Sequence, residues 1–154
     1  MVVQRELAGS IAGFLATAPM TVAMMAMHKA LPHEHKEPLP PRQITDNAAA
    51  QAGVDIGDDE TRKAAALGAH FAYGASVGAL YGPVAGATKL PAAIEGMLYG
   101  MAVWGGSYLG VLPGAGLYRS AKDEPAPRNA MMIAAHLIWG ASLGVLTGAL
   151  ADRE

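Results

Sequence analysis

Residues 62–86, RKAAALGAHFAYGASVGALYGPVAG, and residues 128–152, RNAMMIAAHLIWGASLGVLTGALAD, align without a gap at an offset of 66 residues. Eleven positions are identical: Arg62/Arg128, Ala64/Ala130, Ala69/Ala135, His70/His136, Gly74/Gly140, Ala75/Ala141, Ser76/Ser142, Gly78/Gly144, Leu80/Leu146, Gly82/Gly148 and Ala85/Ala151. The shared skeleton is a basic anchor, one histidine and a ladder of glycines four residues apart. At helical spacing, i, i+4, i+8 and i+12 drift slowly around the axis, so each histidine heads one gently turning glycine stripe. That stripe is flanked by Tyr73 and Val77 in the first copy and by Trp139 and Leu143 in the second.

Outward from this repeat, the composition sets the class. Of 154 residues, 52% are hydrophobic and only 16% charged, with a mean hydropathy of +0.24. Soluble domains carry about a quarter charged residues. Here glycine (19) and alanine make up much of the apolar content and phenylalanine occurs twice, a balance that suits closely packed membrane helices. A net charge of −2 with no basic block excludes nucleic acid as a partner. The absence of cysteine excludes disulfides, thiol catalysis, iron–sulfur clusters and covalently attached c-type haem.

A membrane span needs roughly 20 mostly apolar residues. Four stretches qualify, at about 7–31, 64–86, 92–112 and 130–150, separated by one long polar loop over 32–61. The first has features of a signal peptide, with Arg5 ahead of an apolar run and Ala16-Thr17-Ala18 as a small-residue site. Pro19 just after that site disfavours cleavage, and the apolar run continues past it, so the segment reads as a membrane helix. Gly9, Gly13 and Thr17 form its small-residue stripe. Pro19 predicts a bend, with Thr17 or Thr21 supplying hydrogen bonds to the freed carbonyls. Met20, Met24, Met25 and Met27 read as adaptable packing, because a thioether site needs convergent sulfurs.

In the polar loop, His33-Glu34-His35 reads as a solvated turn and Pro38, Pro40 and Pro41 favour an extended path. Thr45 or Asp46 is the expected cap of a short helix over 47–52, stopped by Gly53, and Asp58 or Asp59 caps helix 2. Helix 3 starts after Pro91 and runs to Pro113. Gly96-x3-Gly100 in helix 3 echoes Gly9-x3-Gly13 in helix 1, with Glu95 and Glu6 just ahead. Glu95 reads as an interfacial acid stabilised by the helix dipole. The expectation is an all-α, four-helix transmembrane bundle built from two same-orientation hairpins, helices 1–2 and 3–4, by internal duplication. Residues 29–63 and 119–128 hold eight lysines and arginines, against Arg5, Lys89 and Arg153 elsewhere. The positive-inside rule then places loops 32–61 and 113–129 in the cytoplasm.

Each histidine lies about 12 Å along the helix from its arginine. Ionisable residues at such depth face the protein interior and are functional candidates. Three uses fit: axial ligation of haem b by His70 and His136, with Gly74, Gly140, Tyr73 and Trp139 shaping a porphyrin slot; a divalent metal held by His28, His70 and His136; or a proton relay. The alternative is that the histidines bond neighbouring helices and the glycines permit tight crossing. Haem and tight glycine contact exclude each other. Ser76 and Ser142 lack a base partner, and no phosphate loop or dinucleotide fingerprint occurs. This favours a small binding or accessory membrane subunit over a stand-alone enzyme. A proton- or solute-handling transporter and a purely structural subunit remain as alternatives. Few bulky side chains point to a homo-oligomer or a place in a larger membrane complex, with the lipid bilayer as the other partner.

Leu39-Pro40-Pro41-Arg42 after helix 1, the histidine of helix 2 and Ala135-His136-Leu137-Ile138-Trp139 in helix 4 resemble the YagU-type family of small bacterial inner-membrane proteins. The resemblance implies residence in the bacterial inner membrane and, from one member, a link to acid tolerance.

Overall fold

The computed structural model describes residues 2–151, with side chains from Gln4 onward; Arg153 and the last residue of the second repeat lie outside that range. The described chain is all-α, without strands. We number five helices: α1 Val2–Ala30, α2 Pro40–Gln51, α3 Asp59–Tyr81, α4 Ala92–Gly106 and α5 Ala126–Ala151. A π-helical turn, Ser107–Val111, and one further turn, Leu112–Gly114, prolong α4.

Among these, α1 (from Gln4) and α5 are long and apolar enough to cross a membrane, with mean hydropathies of 1.5 and 1.6. The other two expected spans are interrupted. Helix α3 opens with the polar run Asp59-Glu60-Thr61-Arg62-Lys63 and leaves regular helix after Tyr81, in a turn that holds Pro83, and regular α-helix in α4 covers only 15 residues before the π turn.

The ends follow local chemistry. The Asp58 carboxylate accepts the Thr61 N–H at 2.8 Å, so the expected cap is present. Helix α2 starts seven residues earlier than expected, at Pro40 itself. Two prolines at its first turn sacrifice only N–H groups that have no intrahelical partner, and their fixed φ suits the helix. Thr45 and Asp46 thus lie inside α2. Gly53, at φ +66°, ends it where the sequence indicated. Helix α1 passes through Pro19 without interruption. Thr17 and Thr21 donate to the carbonyls of Gly13 and Thr17, not to that of Leu15, which the missing Pro19 N–H leaves free.

Glycine sets the packing. Helix α1 lies on α3, α4 lies on α5, and α1 and α5 join the two pairs. A methyl group on Gly78 would meet the Gly9 carbonyl and lie 2.8 Å from the Gly13 Cα. One on Gly140 would meet the Gly96 carbonyl and lie 3.0 Å from the Met97 Cα. Backbone rests on backbone in both pairs, which glycine alone permits. The contacts correct the helix 1/helix 3 echo by one turn. Gly13 faces Gly74 and Gly78 as Gly96 faces Gly140 and Gly144, while Thr17 and Gly100 occupy the next corresponding places.

The two glycine rows therefore face neither each other nor a shared slot. With both rows used inside the pairs, α3 and α4 approach only through side chains. Tyr99 donates to the Val77 carbonyl at 2.7 Å and Tyr73 shares a 2.7 Å hydrogen bond with Ser107.

Candidate functional site

Where α3 and α4 stand apart, a cavity of about 270 Å³ opens between all five helices. His70, Tyr73 and Gly74 of α3 reach it, as do His136 and Trp139 of α5, so five of the seven residues picked from sequence meet there. Thr17 and Met20 of α1, Thr45 of α2, and Ser107 and Tyr108 of the π turn complete its chemically distinctive lining. These last five were not legible as site residues. The only signal for Ser107 and Tyr108 was their distance of two turns from Gly100, and nothing in the sequence announces a π turn. Such turns insert one residue into the helix and recur at functional sites.

His136 is 5% exposed. Its Nδ1 lies 2.8 Å from the Met132 carbonyl, which only accepts, so Nδ1 carries the proton and Nε2 is the nitrogen left free. Tyr108 packs its ring edge to face with the imidazole, centroids 5.8 Å apart, and holds its orientation. His70 has a buried Nε2 with no hydrogen-bond partner in the protein. A buried, unsatisfied nitrogen costs roughly 1–3 kcal/mol unless a guest or water completes it. Trp139 is tied down by donation from Nε1 to the Gly13 carbonyl at 3.2 Å. No Asp, Glu, Lys or Arg lines this cavity.

Two of the expected members are elsewhere. Gly140 is sealed against Gly96 and does not reach the cavity. His28 donates from Nε2 to the Glu37 carbonyl at 2.9 Å, because the chain turns back after Leu31 and brings residues 35–38 against the end of α1. Hence the three-histidine metal site is not formed. No group of three His, Cys, Asp or Glu side chains able to hold a metal occurs among the described residues. The space the porphyrin slot needs is taken by packing: a methyl on Gly74 would meet the Thr17 side chain and, at 3.0 Å, the Gly13 carbonyl, and one on Gly140 the Gly96 backbone. The cavity also falls below the roughly 300–1,000 Å³ usual for drug-sized ligands.

Two residues treated as repeat or interface features turn out to be structural clamps. Arg128 is 1% exposed and uses all five of its N–H donors. Nε reaches Glu124 at 3.2 Å, Nη1 reaches the carbonyls of His35 and Glu37 at 3.1 Å each, and Nη2 reaches the Pro38 carbonyl at 3.2 Å and the Tyr118 hydroxyl at 3.1 Å. Burial and Glu124 push the Tyr118 hydroxyl up to about 12, so it stays protonated and donates to Glu124. Arg62, the matching residue of the first repeat, is only partly buried and bonds only the Gly57 carbonyl, with Asp46 at 3.8 Å. Glu95, expected to serve the dipole of its own helix, instead accepts from the backbone N–H groups of Gly86 (2.8 Å) and Thr88 (3.0 Å) and ties down the 82–91 connection.

No known family, curated protein or solved structure matches the chain.

Proposed function

We propose that the chain is a small multi-pass membrane protein, four spanning helices in two duplicated hairpins, that holds a small uncharged guest against His70 and His136. Apolar side chains that face outward support the membrane reading, among them Phe14, Leu15 and Val22 on α1 and Leu98, Leu109 and Val111 on α4. The matching contacts Gly13/Gly74/Gly78 and Gly96/Gly140/Gly144 support the duplication. Loops 32–61 and 113–129 share one end, where Asn47 donates to the Leu117 carbonyl and Arg119 pairs with Glu37. That end holds most of the lysine and arginine and is assigned to the cytoplasm of a bacterial inner membrane.

One observation carries the binding role: the buried, unpartnered His70 Nε2 lines the same mostly apolar cavity as His136, whose Nε2 is its free nitrogen. Two nitrogens that can accept hydrogen bonds, without a counter-ion for a charged group, suit an uncharged molecule with a hydroxyl and a compact apolar body.

Trp139 reports on the cavity. In a Trp104→Phe background it is the sole tryptophan, and 2,2,2-trichloroethanol, a small uncharged alcohol, is expected to quench it saturably in mild detergent. The double variant His70→Leu with His136→Leu should show only linear, collisional quenching. Identical linear quenching in both proteins sinks the binding reading. For the membrane arrangement, the cysteine-free background allows single cysteines. Lys89→Cys should react with an impermeant maleimide on intact cells and Lys122→Cys only after lysis; the reverse pattern inverts the topology.

A further inference from the structure

A second cavity, of about 230 Å³, lies at the opposite end of the bundle. Arg5, Glu95 and Thr147 are among its lining residues. The Thr147 hydroxyl is buried without a hydrogen-bond partner, in a residue 1% exposed. The two cavities lie end to end. Both use the seam between the hairpins, the first bounded by Val77 and Trp139, the second by Tyr81 and Gly144, roughly one turn further along the same helices α3 and α5.

Tyr99 of α4, which lines neither cavity, bridges residues of the two linings. Its ring packs on Tyr81 at 5.0 Å and on Trp139 at 6.3 Å, centroid to centroid, and its hydroxyl closes onto the Val77 carbonyl. Each cavity is lined by a residue with a buried polar atom in want of a partner, His70 with Nε2 in the first and Thr147 with Oγ1 in the second. Glu95 is not such an atom. Its carboxylate is already occupied by Gly86, Thr88 and the Tyr81 hydroxyl.

We infer that this seam is a permeation path for small uncharged hydroxyl-bearing solutes, with Tyr99 as its gate, resting on the reading of the first cavity as a binding site. The solute exchanges hydrogen bonds with His70 and His136 at one end and with Thr147 at the other. The gate opens when the Tyr99 side chain leaves the Val77 carbonyl and swings from between Tyr81 and Trp139. Charged solutes are excluded, because no charged side chain lines the first cavity and a bare charge at membrane depth is costly.

Stopped-flow light scattering of proteoliposomes under a glycerol gradient tests it. Wild-type protein should equilibrate glycerol faster than protein-free liposomes. Tyr99→Ala should accelerate this by about tenfold, from loss of one hydrogen bond and the ring that blocks the seam. Tyr99→Phe, which keeps the ring, should fall between them. Leu98→Ala, a similar truncation on the outward face, should match wild type. The path is overturned if wild-type vesicles are no faster than protein-free ones, whatever Tyr99→Ala does, or if Leu98→Ala raises the rate as much as Tyr99→Ala. Saturable trichloroethanol quenching of Trp139 together with absent glycerol flux leaves the binding site standing and removes only the path. Loss of both removes both.

Discussion

Replacing Gly144 and Gly148 by alanine, one at a time, separates the roles of two glycines that stand one turn apart on the same helix and belong to the same repeat. At Gly144 the added methyl would overlap the Ala92 carbonyl oxygen and lie 2.8 Å from the Ala92 carbonyl carbon and 3.2 Å from the Gly96 Cα. All three are backbone atoms, so no side chain can turn aside and α4 must move off α5. Overpacking of this kind costs roughly 1–3 kcal/mol. At Gly148 no atom lies within 4 Å of the added methyl. Alanine there keeps every contact and improves helix propensity by up to about 1 kcal/mol, less where the unfolded chain retains helix. The two variants should therefore differ by roughly 1–4 kcal/mol. Reversible unfolding in mixed micelles by titration with sodium dodecyl sulfate, followed by tryptophan fluorescence, measures the difference. Gly144→Ala should unfold at lower detergent fraction than wild type and Gly148→Ala at the same or a higher one. If Gly144→Ala is as stable as Gly148→Ala, the backbone contact between α4 and α5 is not what holds that hairpin together.

Three further outcomes are expected. Arg128→Met leaves three backbone carbonyls without this donor, at roughly 1–3 kcal/mol for each buried group, and leaves Glu124 to Tyr118 and Arg119; it should destabilise by about 3–5 kcal/mol in the same titration, with Arg128→Lys rescuing little because an ammonium cannot span five acceptors; Arg62→Met should be nearly neutral. Glu95→Gln keeps the shape of the side chain and loses its charge, weakening two hydrogen bonds from backbone N–H groups. The 82–91 connection should then lose amide protection in hydrogen exchange, with a cost of about 1.5–3 kcal/mol. Acid should release the start of α3. The Thr61 backbone N–H holds the Asp58 carboxyl below its ordinary value, and Lys63 with Arg42 does the same for Asp59. Depressed carboxyl groups stabilise the fold fully above the unfolded value of about 3.9 and lose that contribution as pH falls through their folded values. Exchange protection at Thr61 and Arg62 should thus hold at pH 5 and above and decay below about pH 4. Protection that stays flat to pH 2 would contradict the cap.

Much of the helix layout is legible in local chemistry. The cap at Asp58, the stop at Gly53 and the start after Pro91 depend on residues within a few positions, and all three are where the sequence indicates. Helix α2 is the exception. Consecutive prolines suit an extended path and a first helical turn equally, and the choice went to the helix that buries Pro40 and brings Ile44 to the core and Thr45 to the cavity. The site was half legible. His70 and His136 reach one cavity because equal depth on related helices is a local property. Thr17, Thr45, Ser107 and Tyr108 are brought there by three other elements, and no periodicity in the chain relates them.

By itself the sequence determined that the chain is helical, where α3 and α4 begin and where α2 ends, and that two helices carry a histidine above a row of glycines. Tertiary structure decided what each copy of a repeated residue does, because a side chain's role depends on what stands opposite. Helix α4 begins at Ala92, opposite Gly144, so Gly148 extends past its end and touches nothing, whereas its counterpart Gly82 lies against the Arg5 carbonyl. Arg128 meets a returning loop and is buried by it; Arg62 meets only the Gly57 carbonyl and, more distantly, Asp46, and stays partly exposed. Gly74 and Gly78, like Gly140 and Gly144, pack closely within their pairs of helices, and the cavity lies where α3 and α4 stand apart.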